Sequence, residues 1–531
     1  MDTYVFSLVG VAIVVAAGCR YWRINPALPL IAAGLIFELF FPKTLESLPE
    51  PEAILTLVLA PLVFAAALSS SAVDLRKVGR RVLLLAVGLV VVTTAVVGLF
   101  ASITVAALSL AAACALGAVL APTDAVAAAV VAARSGLPRR ITLVIEGESL
   151  ANDATALTLL RVAIAAAVAT GAVGLGQATG ILLSAVVGGV VVGALGGFGV
   201  SWLMRASRQA LVANAILLLT PFVLYAISES RVINGSGLLT VVIAGVWISH
   251  SNATKGSPKT RLQGDSIWLL ITFLLESFAF ILVGAEFRDT FVRIDAPKPF
   301  LYVLGAVGLT LLLLATRFVF MGIWFIAGPH VQPKLFKNRR KAAKEFIAIG
   351  LLGVRGPISV LAAFSIPLVT TSGEPFPGRD EILILTFGVV IISLIMSHVS
   401  EPIIRRLNLS TMPDQAVEYR ARLAVAKASL RRLDEIAVEA DWEGRNLDRA
   451  SFSDLRSIAI ARIDTLKAGD TNDEKSEVWM ARREIRQSML DAERDELDRL
   501  RNEHLAPGDV LKELTRELDI RQQVLGDPGT S

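Results

Sequence analysis

The chain is poor in charge, in histidine and in cysteine. Only 18% of its 531 residues are Asp, Glu, Lys or Arg, four are His and two are Cys. Charge this sparse does not suit a soluble protein of this size. Cys19 and Cys114 fall in separate apolar runs with no ligand spacing around them. That argues against a structural disulfide and against a Cys/His metal centre. The sequence also lacks a nucleophile–His–acid set and any cofactor motif, so neither an enzyme nor a bound cofactor is expected.

Apolar residues fill the space. They make up 54% of the chain, and mean hydropathy is +0.63. The sparse charge is unevenly spread: residues 1–409 carry 31 basic and 21 acidic groups, the last 122 residues 20 and 26. This split predicts a membrane domain over 1–409 and a charged, cytoplasmic helical tail over 410–531. The pI near 9.1 then reflects short basic loops and gives no reason to expect nucleic acid.

Thirteen stretches have the length to span a bilayer: 3–20, 26–41, 52–71, 82–104, 107–132, 141–169, 178–203, 211–228, 232–249, 266–287, 300–327, 345–369 and 381–404. The first is followed, not preceded, by Arg20 and Arg23, so it reads as a spanning helix and not a cleaved signal. Odd-numbered connections carry 20 basic residues and even-numbered ones six. By the positive-inside rule the N-terminus lies outside and the tail inside, in a cell inner membrane. Small residues such as those of GGVVVGALGGFG at 188–199 suit close helix packing in lipid.

Ionisable groups at membrane depth are costly and mark function by default. They concentrate in a few stretches. The sixth, with EGESLANDATALTLLR at 146–161, holds Glu146, Glu148, Ser149, Asn152, Asp153 and Arg161. The fifth holds Pro122, Thr123 and Asp124, the eleventh Arg317, and the twelfth Arg355 ahead of Pro357 and Ser359. Ser149 and Asp153 share one helix face, and Glu148 and Asn152 an adjacent one. Arg161, two turns beyond Asp153, reads as snorkelling towards the helix end, and Glu146 as lining the cytoplasmic approach. Pro122 and Pro357 predict interruptions that free backbone carbonyls to meet a cation. Buried carboxylates that repel one another hold a proton nearer neutral pH. A hard monovalent cation then competes with that proton, which is the basis of exchange.

These motifs together resemble the monovalent cation:proton antiporter-1 family, related to the eukaryotic sodium/proton exchangers. The likeness lies in Thr123-Asp124, Glu148-Ser149 with Asn152-Asp153, Arg317, and Gly353-Val354-Arg355-Gly356, where the family usually has Gly-Leu-Arg-Gly. It implies an all-α polytopic membrane protein of about 13 transmembrane helices, with inverted-topology repeats and discontinuous crossed helices. It implies Asp153 as the essential cation/proton carboxylate, Asp124 as the second acid, and Thr123, Ser149 and Asn152 around the transported monovalent cation. Glu148 would pair with Arg317, and Arg355 would organise the twelfth stretch. Asn before Asp153 implies electroneutral exchange of Na⁺, or of K⁺ or Li⁺, for H⁺, in a homodimer embedded in membrane lipid. Ala65 departs from relatives that carry an acid there, which bears on ion preference. A predominantly K⁺/H⁺ antiporter, or a transporter-like sensor controlling the tail, are the alternatives.

Overall fold

A computed structural model describes residues 2–22, 24–41, 53, 55–70, 79–168, 175–207, 209–255, 258–293, 299–331, 338–370, 373–409, 412–442, 449–468 and 473–503, with a few positions from 511 to 521. Among them the chain is helical apart from turns, short loops and one isolated bridge between Val369 and Pro375. Backbone at membrane depth has no water to bond, so apolar runs close their hydrogen bonds within helices. Several loop residues of the basic alternation (Arg23, Lys43, Arg76, Lys77, Arg208, Lys298, Lys334, Lys337) and most of residues 511–524 of the expected helical tail lie outside the described residues.

The first compact unit covers Met1–Ser410. Its helices are α1 (Asp2–Tyr21), α2 (Ala27–Phe40), α3 (Ala60–Ser69), α4 (Val90–Thr104), α5 (Leu110–Leu120), α6 (Ala125–Arg134), α7 (Arg139–Val168) and α8 (Leu175–Ala206). Then follow α9 (Ala210–Glu229), α10 (Gly237–Lys255), α11 (Pro258–Arg293), α12 (Pro299–Val331), α13 (Arg339–Leu351), α14 (Pro357–Phe364) and α15 (Arg379–Arg406). A wider π turn leads into α3 at Leu55–Leu59 and into α4 at Leu84–Leu89. Seven of the described helices are long and apolar enough to cross a membrane, and shorter apolar helices occupy other expected stretches.

Two expected stretches are not continuous helices. The fifth splits into α5 and α6 around residues 121–124, and the twelfth into α13 and α14 around 352–356. Pro122 lies in the first gap, where it has no N–H to continue the ladder. Pro357 lies beyond the second gap, in the first turn of α14, a position where its missing donor costs nothing. The backbone there opens before the proline, over Gly353 to Gly356.

Close helix contact rests on glycine. A Cβ on Gly34 of α2 would land on the Ile281 carbonyl of α11, and one on Gly284 would land on the Ile31 carbonyl of α2. The two helices therefore touch backbone to backbone, as small residues allow in lipid. Around them the core is Ala-, Leu- and Val-rich, with Phe64, Phe387, Leu116 and Ile281 fully buried.

The second unit, Thr411–Ser531, contains α16 (Met412–Trp442), α17 (Arg449–Ala468) and α18 (Asp473–Asn502). Leu490 and Leu497, seven residues apart, pack with Leu511 and Leu518, also seven apart. Arg432 of α16 holds Glu439 with two hydrogen bonds of 2.7 and 3.2 Å, and Arg456 of α17 reaches Asp434 at 3.2 Å.

Candidate functional site: two broken helices against α7

The two helix gaps meet. The Asp124 amide donates to the Val354 carbonyl at 2.7 Å, so the break in α5–α6 bonds directly to the break in α13–α14. In the reverse direction Arg355 Nε donates to the Leu120 carbonyl at 3.1 Å, and its guanidinium also reaches the Gly353 carbonyl. The Arg355 amide is held by Ser393 Oγ of α15 at 2.7 Å. Freed backbone groups from each gap are thus satisfied by the other, which makes the interruption tolerable inside a membrane protein. Gly356 stands where a Cβ would collide with the Asp124 carboxylate, so the approach of α14 to Asp124 requires glycine.

The middle of α7 faces this crossing. Thr123 is its anchor: Asn152 Nδ2 donates to Thr123 Oγ1 at 2.9 Å, and that hydroxyl lies 3.3 Å from Ser149 Oγ and 3.4 Å from Glu148 Oε1. Glu148 accepts both arms of the Arg317 guanidinium, one of them at 2.8 Å to Oε2. Arg317 Nε and its second terminal nitrogen also donate to the Ile349 carbonyl of α13, at 3.3 and 3.1 Å. A bidentate guanidinium–carboxylate pair with its remaining donors used is the form in which buried charges are best tolerated. Thr123, Asp124, Glu148, Ser149, Asn152, Asp153, Arg317, Arg355 and Ser359 are all buried.

Asp153 stands apart from this network. It is 5% exposed, its Oδ1 has no hydrogen-bond partner among the described residues, and its charge is repelled by that of Asp124. The amide oxygen of Asn152 is likewise buried without a partner. Buried oxygens of this kind are the donors a hard cation takes, since it binds oxygen alone.

The rest of the charged stretch sorts differently. Glu146 is exposed on α7. Arg161 does not snorkel; it pairs with Glu229 of α9 and donates to the Gly235 carbonyl at 3.0 Å. Contacts from α7 to Glu229 and Gly235 bring that carboxylate within reach of Arg161. Two acids escaped the sequence reading. Glu38 of α2 is fully buried, and Glu276 of α11 interacts with the charges of Asp124 and Arg20. Each is a lone acid in an apolar run, LIFELF and LLESFAF, the same signal that singled out α7.

Comparison with known proteins gives the family and the fold. Residues 7–404 match the family model described as "Sodium/hydrogen exchanger, transmembrane". The chain is 31% identical to an uncharacterized Na⁺/H⁺ exchanger of Mycobacterium tuberculosis, over 99% of this chain and 98% of that one. It is also 31% identical to the sodium, potassium, lithium and rubidium/H⁺ antiporter of Bacillus subtilis, over 82% of this chain and 66% of the relative. Among solved structures the sodium proton antiporter MjNhaP1 from Methanocaldococcus jannaschii superposes with a TM-score of 0.61 at 18% identity, covering 76% of this chain and 98% of that one, which shows the shared fold. The chain is an integral membrane protein and belongs to the sodium/hydrogen exchanger family of monovalent cation:proton antiporters.

Proposed function

We propose that this chain exchanges Na⁺ for H⁺ across the cell membrane by alternating access, electroneutrally, with cation and proton competing at Asp153 beside Asp124. The observation that carries the reading is the pair of buried, unpartnered oxygens, Asp153 Oδ1 and Asn152 Oδ1, next to the opened backbone at Thr123-Asp124. Asp153 holds either the proton or the cation, with Thr123, Ser149 and the Asn152 carbonyl supplying neutral oxygens. Because Asn152 is neutral, one carboxylate changes partner per cycle: one proton leaves as one cation enters, and no net charge moves. Glu148 and Arg317 hold α7 against α13, and Arg355 holds the two gaps in register. Residues 1–409 form the transporting domain of thirteen spans built as inverted repeats, its N-terminus outside. Residues 410–531 form a cytoplasmic tail that stabilises a homodimer or regulates it.

A K⁺/H⁺ reading is favoured by two observations: Ala65 puts no carboxylate at that position of the third stretch, and the Bacillus subtilis relative is named for sodium, potassium, lithium and rubidium. Fewer fixed anions around a site discriminate less between alkali ions.

The test is proton flux in proteoliposomes driven by Na⁺, K⁺ or Li⁺, for the wild type and Asp153→Asn. Flux that survives unchanged in the variant would sink the mechanism. An imposed voltage that alters the initial rate would remove electroneutrality, and silence with every cation would favour a sensor.

A further inference from the structure

A groove away from the ion site opens where the entry to α4, α7, α12 and α13 converge. Open space of about 560 Å³, continuous with the surface, lies between their side chains. Its walls are apolar, including Met321, Trp324, Phe325, Phe346 and Ile349, and among the described residues its charged lining groups are Arg81 and Glu345. Glu345 is taken by Arg140 in an ion pair. Arg81 lies over the Trp324 ring, 5.8 Å from its centroid, with no carboxylate in ion-pair range among the described residues. Two guanidiniums therefore share one carboxylate, and the groove carries a net positive end on an apolar body.

The surface around it tells what comes to fill it. Leu83, Ile323 and Ile326 project outward, 65%, 64% and 74% exposed, from helices that have the length and hydropathy to cross a membrane. Such a surface faces acyl chains, and a groove open to it fills with lipid and not with water. The basic loops that flank α4 and α13 lie, on the topology proposed above, at the cytoplasmic leaflet, where anionic lipid gathers. We propose that this groove binds one anionic phospholipid, its phosphate on Arg81 and an acyl chain along Phe325 and Phe346, and that the bound lipid steadies α13. The consequence for transport runs through Ile349: its side chain lines the groove while its carbonyl accepts Arg317, the partner of Glu148. An occupied groove fixes the far side of the residue that buttresses the ion site.

Binding stands independently of ion exchange; the effect on transport rests on the proposed function. The full chain, purified in mild detergent, is assayed by native mass spectrometry for retained phosphatidylglycerol against phosphatidylcholine. The wild type retains one phosphatidylglycerol. Arg81→Gln lowers that retention roughly five-fold, the worth of one basic group near an anionic surface. Arg81→Lys restores most of it, and Arg80→Gln, which removes an equal charge from an exposed neighbour, leaves it unchanged. Ala342→Trp fills the groove and expels the lipid with Arg81 intact. Equal losses in Arg81→Gln and Arg80→Gln, equal retention of both lipids, or no retained lipid each overturn the site. In proteoliposomes, phosphatidylglycerol accelerates exchange in the wild type and not in Arg81→Gln; acceleration in both refutes the coupling to α13. Absence of exchange in every liposome refutes the proposed function and the coupling, while the lipid count still decides the groove.

Discussion

Replacing Arg317 by Met gives a quantitative test of how α7 is held. The pair with Glu148 has side-chain exposures of 1% and 2%, so solvent screening does not discount it. Removing one partner of such a pair leaves an uncompensated buried charge and costs about 3–5 kcal/mol. The Ile349 carbonyl loses both its Arg317 donors as well, a further cost of about 1–3 kcal/mol. Glu148→Leu strands the guanidinium instead and costs a similar 3–5 kcal/mol. The double variant Glu148→Leu/Arg317→Met buries no charge. Its expected penalty is only about 1–3 kcal/mol, chiefly the orphaned carbonyl. Independent effects would instead add to roughly 7–13 kcal/mol. The assay is thermal melting of detergent-purified protein followed by size exclusion, read as a rank order. Midpoints should fall in the order wild type, double variant, either single variant. A double variant that melts below both singles refutes the assignment of the pair as a mutually compensating unit. Transport separates a second role: Glu148 also touches Thr123, so the double variant recovers stability without recovering full exchange rate.

Gly356→Ala places a methyl group against the Asp124 carboxylate, and a displacement of about 1 Å at the site should cut turnover about 100-fold. Melting should move far less, and an unchanged rate in the liposome assay would show that Asp124 has room to give. Gly34→Ala and Gly284→Ala each put a methyl group on a backbone carbonyl of the facing helix, and should abolish monodisperse protein on size exclusion. In the tail, the Arg499 guanidinium holds the Glu496 carboxyl below its usual range, chiefly by a side-chain hydrogen bond. A depressed carboxyl stabilises above its unfolded pKa and loses that contribution as pH falls through its folded value. The pair is fully exposed, so Arg499→Gln should leave the tail's helical circular dichroism at pH 7 unchanged within scatter, and at pH 3 as well.

The helices were legible in the sequence because apolar runs of spanning length have few other fates. The gaps were legible because Pro122 and Pro357 forbid an unbroken ladder nearby. Their positions were less so: the second gap lies over Gly353 to Gly356, and Pro357 starts the next helix. Periodicity placed Ser149 and Glu148 on different faces of α7, yet both reach Thr123. Adjacent helical positions converge when the partner is an opened strand of backbone lying across the helix, which no helical wheel represents. Arg161 was misread because its partner, Glu229, comes from another helix 68 residues on, and nothing local announces it. Glu276 was missed for the opposite reason. Its signal is present, a single acid in an apolar run, but one acid alone is a weaker mark than the dense cluster of α7.

The crossing also separates the two acids that looked equivalent in sequence. Asp124 sits where α6 begins, its carbonyl accepting the Ala128 amide, and its side chain abuts Gly356, where α14 begins. Two helix N-termini, each a partial positive charge, therefore face it. Arg355 is the mirror case: its guanidinium donates to the carbonyls of Leu120, the last residue of α5, and Gly353, just past the end of α13, where the dipoles are negative. Each gap thus carries one fixed charge matched by the ends of both broken helices. Asp153 lies in the interior of α7, away from that helix's own ends. A carboxylate already compensated by fixed dipoles has less to gain from an arriving cation. On the proposed mechanism that makes Asp124 the standing anion that sets the local field and Asp153 the group whose occupant changes.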